Sequence, residues 1–262
     1  MARLPVWFLA HGAPIHAIED TPLRRFWQGL PQRLPEVPRA VLCLSAHWLA
    51  DRPTLAGGVA EPTIQYDFHG FPEALYRLKW PLPDATAAGL WLKERLQRLL
   101  GEVDDEADRP LDHGVWAPLL PAWPQPPFPV LQLTLCPQRD AAWHWRLGQQ
   151  LRPLRDEGVL IVTSGGLVHN LSLLDRQARW GEAEPWATEF MEVVESAIER
   201  RDQDTLCHPW SLPHGQRAVP TNEHYLPLLC ALGCSHKSEP FHALFRGWEH
   251  GNLALHSYGV SP

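Results

Sequence analysis

The sequence predicts a single α/β domain over residues 1–262, with a central mostly parallel or mixed sheet flanked by helices on both faces. Three observations predict it. Short uncharged apolar runs recur at Val6 to Ala10, Ala40 to Ala46, Phe128 to Leu135 and Gly158 to Thr163, each bounded by Gly, Pro or polar residues as core strands are. Segments of helical spacing lie between them, and strands that alternate with helices form sheets covered on both sides. At 262 residues and 45% hydrophobic content the chain can bury a large core, and no repeat or shift in composition marks a linker.

In chain order, the first strand opens into a Gly/Pro turn at His11, and the second ends in Ser45 to Trp48. Asp84 can cap a helix to about Leu100. Ala141 to Asp156 carries helical spacing that Pro153 ends early, and Pro185 starts a helix to about Arg200. Thr221 can cap a short helix with His224 in its first turn. Ala243 to Trp248 and Leu253 to Tyr258 flank Glu249 to Asn252 as a closing hairpin. The 27 prolines fall largely in connections such as Pro118 to Pro129 and Pro209 to Pro220, which predicts long structured loops.

A net charge of -7 argues against binding to a phosphate backbone, which needs clustered Lys and Arg, so no nucleic-acid partner is expected. No run of 18 uncharged apolar residues occurs, and Met1 to Ala10 is too short an apolar stretch for a secretory signal. The expectation is a cytoplasmic protein without a membrane partner. Its five cysteines form no CxxC pair and are expected to be reduced and mostly buried.

Histidine stands out, with 14 residues against four tyrosines and two methionines. His11 and His47 both lie where a core strand meets its following turn, and His169 follows a third strand after Gly165 and Gly166. Ligands of open α/β sheets bind beyond the carboxyl ends of parallel strands, where successive loops converge. Imidazole is the commonest metal ligand. His224 is a fourth candidate with Glu223 as a rival, because two histidines and one carboxylate also hold non-haem iron. His113, between Asp112 and Gly114, reads either as a turn histidine held by Asp112 or as a proton-transfer group beside a metal but not bound to it.

The motifs FLAHGAP at Phe8 to Pro14, SAHW at Ser45 to Trp48, YDFHGFPEALY at Tyr66 to Tyr76 and LDHGVW at Leu111 to Trp116 continue through AAWH at Ala141 to His144 and SGGLVHNL at Ser164 to Leu171. PWAT at Pro185 to Thr188 and EHYLPLL at Glu223 to Leu229 complete the set. In these motifs the sequence resembles the 4,5-DOPA extradiol dioxygenase-like proteins of the LigB superfamily, the class III extradiol dioxygenases, over nearly its whole length. The resemblance implies that His11, His47 and His224 hold a metal, with His169 as a fourth ligand or the catalytic base and His113 as a catalytic group beside it. It implies Fe(II) for activity, Zn(II) as the alternative occupant, and a catechol and dioxygen as reactants. Asp67, His69 and Tyr66 are the expected substrate contacts, within an aromatic cluster that reads equally as core filler. Trp48 and Trp116 adjoin site histidines and are expected to wall the cavity.

Three rival readings remain. A zinc hydrolase would use similar ligands. A serine hydrolase at Ser164 lacks the first glycine of the GxSxG elbow. A non-catalytic binding protein similar to the Memo relatives would not need all five histidines.

Overall fold

The computed structural model describes residues 2–261. Its eight-stranded sheet is mixed, with a parallel centre. The strands are β1 (Val6–Ala10), β2 (Ala40–Leu49), β3 (Thr54–Ala56), β4 (Asp104–Glu106), β5 (Val130–Leu135), β6 (Val159–Gly165) and β7 (Phe241–Phe245), then β8 (Trp248–Glu249), β9 (Leu253–Ala254) and β10 (Ser257–Val260). The main sheet runs β4-β3-β5-β2-β6-β1-β10-β7, while β8 and β9 form a separate pair. The neighbours β5-β2-β6-β1 are all parallel, and β10 joins β1 antiparallel.

Side-chain alternation in these central strands divides the core. Trp7, Leu9, Val41, Cys43, Leu160 and Val162 face one cluster, under the helix His113–Ala122. Val6, Phe8, Leu42, Leu44, Val159 and Ile161 face the other, under the helices Ala141–Leu151, Pro185–Arg200 and Leu226–Cys234. Because both faces are covered, the strands are mostly apolar and each buried Leu or Val contributes roughly 1.5–3 kcal/mol. The register aligns Leu9 and Ser45 with Ser164 across β1, β6 and β2. His11 and His47, two residues beyond, therefore leave the same edge on the same face.

Several boundaries differ from expectation for identifiable reasons. The helix after Asp84 is Thr86–Leu100, with the Asp84 carboxylate accepting from the Thr86 amide at 2.8 Å. Pro153 ends the α-helix at Leu151, and a 3₁₀ segment continues to Glu157. Pro118 and Pro121 lie inside a helix rather than a loop, in a segment buried on nearly every side, where packing offsets the lost amide donors. Thr221 caps nothing: its hydroxyl donates to Glu223 at 2.7 Å, and His224 precedes a helix that starts only at Leu226. The closing hairpin is nested, with β7 on β10 and, inside it, β8 on β9.

His256, buried beside the Trp248 ring at 5.1 Å between centroids, is expected to make the apoprotein acid-sensitive. Burial pushes its imidazole from 6.5 down to about 4, against the attraction of Glu195. Between those values the unfolded chain binds a proton that the folded one refuses, so stability is fully present above 6.5 and lost as pH falls to 4. The expected loss is on the order of 1 to 3 kcal/mol. Urea unfolding of metal-free His256→Phe at several pH values should show a shallower slope; an unchanged slope would remove His256 as a cause.

Candidate metal centre

His11 follows β1, and its amide donates to the Gly165 carbonyl at 3.3 Å, which ties the turn to β6. Its Nδ1 lies 2.8 Å from the buried Ser164 hydroxyl. The tautomer that donates there leaves the Nε2 lone pair facing the Nε2 of His47, 3.0 Å away. His47 lies inside β2 rather than after it, with its amide donating to the Ser45 hydroxyl at 3.2 Å.

His113 opens its helix as the first residue and is not held by Asp112. Asp67 holds it twice, accepting from its amide at 3.0 Å and from Nδ1 at 3.0 Å. Burial alone would raise the Asp67 carboxyl, yet the hydrogen bonds and charge of His113 bring it below its ordinary value. Asp112 turns away, accepting from the Ser45 hydroxyl at 2.7 Å and from the Gln132 side-chain amide. Burial pushes the Asp112 carboxyl up, opposed by those two donors.

His224 sits on the short link between Pro220 and the final helix. Its Nδ1 lies 3.2 Å from Glu223, so the rival carboxylate is engaged with the histidine itself. Against the opposing effect of burial, hydrogen bonds from His224 and Thr221 hold the Glu223 carboxyl down to about 2. The Nε2 of His224 is buried and has no hydrogen-bond partner. Its ring centroid is 5.3 Å from that of His11 and 4.9 Å from that of His47. His169 stacks on it in parallel at 3.6 Å, its backbone amide donating a hydrogen bond to the Ala218 carbonyl at 2.9 Å.

Thus the five histidines meet in one place. Ligand atoms of His11, His47 and His113 all lie within 4.8 Å of one another. Burial, then mutual repulsion among the rings, holds the imidazoles of His11 and His47 well below their ordinary value and that of His169 down to about 3. Neutral, lone-pair-bearing rings around an orphaned buried nitrogen suit a cation and nothing apolar. The donor set therefore fits a metal ion.

Gly165 makes this approach possible. A Cβ there would lie 2.2 Å from the His224 carbonyl, which also accepts from the Gly166 amide at 2.9 Å. Gly165→Ala is expected to push the His224 link outward, costing about 1–3 kcal/mol and weakening metal binding. Thermal unfolding and chelator competition check this, and unaltered metal affinity would refute it.

The histidines floor a cleft of about 1050 Å³, ample for a small aromatic ligand. Asp67 and His69 line it, together with Phe68 and Phe71. Tyr66 is not among its lining residues: its hydroxyl donates to the Leu78 carbonyl and its ring packs on Trp116. Trp48 and Trp116 do not wall the cleft either. Trp116 is fully buried, and Trp48 lies under the Arg109 guanidinium at 4.4 Å. Ser45 and Ser164 hold His47 and His11 from below, and Gln132 holds Asp112; Ser45 and Gln132 were not singled out by sequence, and Ser164 was weighed only as a hydrolase nucleophile. Their signal was a polar side chain in the middle of a buried apolar strand.

A doubly covered sheet carrying a histidine cluster at the carboxyl ends of its parallel strands defines a metal-site protein. Residues 5–253 match the family described as the catalytic LigB subunit of aromatic ring-opening dioxygenase, and the chain belongs to that family. It is 38% identical over 267 residues to 4,5-DOPA dioxygenase extradiol of Escherichia coli (strain K12), covering 98% of this chain and 95% of the relative. It is 34% identical over 264 residues to the protein of the same name from Portulaca grandiflora, covering 96% and 94%. The crystal structure of the uncharacterized protein JW3007 from Escherichia coli K12 superposes with a TM-score of 0.83 at 33% identity, covering 99% of this chain and 100% of that one. Family, relatives and histidine cluster together support a metal-dependent extradiol dioxygenase. Among the described residues no helix is long and apolar enough to cross a membrane.

Proposed function

We propose that the chain opens the ring of a catechol-type substrate, DOPA or a related compound, with both atoms of dioxygen, at ferrous iron held by His11, His47 and His224 with His169 as the fourth ligand. One observation carries the ligand set: the buried Nε2 of His224, without a protein partner, sits among rings whose facing nitrogens, His11 and His47, approach to 3.0 Å. Ferrous iron bound there supplies chelation of two adjacent hydroxyl oxygens and an electron path to dioxygen. Zn(II) is the alternative occupant, because neutral imidazoles suit both ions.

His169, with its imidazole held down to about 3, is suited to ligation and poorly suited to taking protons near neutrality. His113 is the proton acceptor. Its Nδ1 donates to Asp67, which fixes the tautomer, stabilises the imidazolium and leaves Nε2 free to take a catechol proton and return it. Phe68 and Phe71 offer flat apolar surface to the ring, and His69 and Asp67 are the polar groups beside it. In a second reading His113 is itself a ligand, favoured by the 4.8 Å grouping with His11 and His47.

The test loads metal-free protein with ferrous iron without air, adds DOPA, caffeate or protocatechuate, and then admits oxygen. Oxygen uptake with a coloured ring-opened product is expected. No uptake with any catechol overturns the proposal and leaves the zinc hydrolase and the Memo-like binding protein as the readings to pursue.

A further inference from the structure

Asp112 is the only fully buried carboxylate among the described residues. It faces neither substrate nor solvent. Each oxygen accepts a hydrogen bond from a neutral donor, Oδ1 from the Ser45 hydroxyl at 2.7 Å and Oδ2 from the Gln132 amide. The Ser45 oxygen also accepts from the His47 amide at 3.2 Å, so this hydroxyl links the His47 backbone to the Asp112 carboxylate. With each oxygen accepting from a donor, the arrangement suits the ionised carboxylate. No Lys or Arg among the described residues forms an ion pair with it; the cation closest in effect, Arg109, lies over Trp48 and donates to the Pro110 carbonyl.

A buried charge whose protein partners are all neutral is costly, and folds retain one where a cation compensates it. The cation available here is the one that the histidines would bind. Asp112 immediately precedes His113, and through Ser45 it reaches the backbone of His47. The space is closely fitted: a Cβ on Gly114 would lie 2.2 Å from the Ser45 hydroxyl oxygen. Gln132, opposite Cys43 in the pairing of β2 with β5, brings its amide to the carboxylate from the neighbouring strand.

We propose that the Asp112 carboxylate, held by Ser45 and Gln132, is the buried counter-charge of the metal centre and the positioning group for His47. This rests on the reading of the histidine cluster as a metal site. An electrostatic role and a merely structural one differ in which state of the protein they affect. As a counter-charge, Asp112 costs the apoprotein stability and returns it when the cation binds. As scaffold, it supports both states equally.

The experiment measures cobalt(II) affinity by chelator competition, and thermal midpoints with and without cobalt, for wild type, Asp112→Asn and Asp112→Asn/Gln132→Glu. Asp112→Asn should bind cobalt about 10- to 100-fold more weakly, the range for loss of a group supporting metal ligands. Its apoprotein should melt no lower than wild type, and the rise in midpoint on adding cobalt should shrink. The double variant moves the negative charge one contact away with a complementary hydrogen bond, and should regain most of the affinity even if the single variant folds poorly. Equal affinity in Asp112→Asn and wild type overturns the inference. So does an equal fall in both midpoints, or a double variant as weak as the single one. Wild type that binds no cobalt fails at an earlier step, by removing the metal centre itself.

Discussion

His11→Ala and His47→Ala proteins are expected to lose bound metal and ring-opening activity together while remaining folded. The two imidazoles meet nitrogen to nitrogen at 3.0 Å at the edge of the parallel sheet, and burial keeps both neutral. On the proposed ligand set, removing either takes away a ligand, so metal affinity should fall further than the roughly 10- to 100-fold that loss of a supporting partner costs. Ser164→Ala provides that comparison, because it removes only the hydroxyl that orients the His11 ring at 2.8 Å. The expected order of affinity is wild type, Ser164→Ala, then the two histidine variants. The apoproteins should melt close to wild type, since a ring that faces like rings contributes little to a metal-free core. Metal content after loading, read by chelator competition, decides the matter; full metal occupancy in either histidine variant would exclude that residue as a ligand.

The parts of this centre that were legible in sequence share a physical origin. A strand buried on both faces must be apolar, so β1 and β6 appear as bounded apolar runs, and His11 and His169 are conspicuous where those runs end. The helix Pro185–Arg200 was equally plain, with proline at its start and apolar residues on one face. Elements shaped by tertiary contact were not legible. β4 is three exposed acidic residues, Asp104–Glu106, recognisable as a strand only by its pairing with β3. The helix at His113 contains two prolines, which local preference reads as loop, and its burial overrides that preference. The place of β10 against β1, far away in sequence, depends on long-range pairing. The same holds for the hydrogen-bond partners of the site. One of the two sequence readings of His113 had it held by its neighbour Asp112, but Asp67, 46 residues earlier, takes that position because the loop before Phe68 folds back over the helix start.

That exchange of partners sets the second large effect. His113→Ala is expected to keep the metal and lose turnover by roughly 10²- to 10⁴-fold, the range for removal of a general acid or base. Asp67→Asn should be milder. The amide oxygen can still accept from the His113 backbone, but the variant loses the charge that stabilises the imidazolium when the ring accepts a proton. Three readouts separate proton transfer from simple positioning. The fall should lie in kcat rather than KM, the acid limb of the pH–rate profile should change, and added imidazole should restore part of the rate to His113→Ala. Metal content then decides between the two roles open to this histidine. If His113→Ala purifies without metal after loading while His224→Ala retains it, His113 is the third ligand and the buried Nε2 of His224 belongs to the substrate side. If His224→Ala is the variant that loses metal, the proton passes through His113 and Asp67.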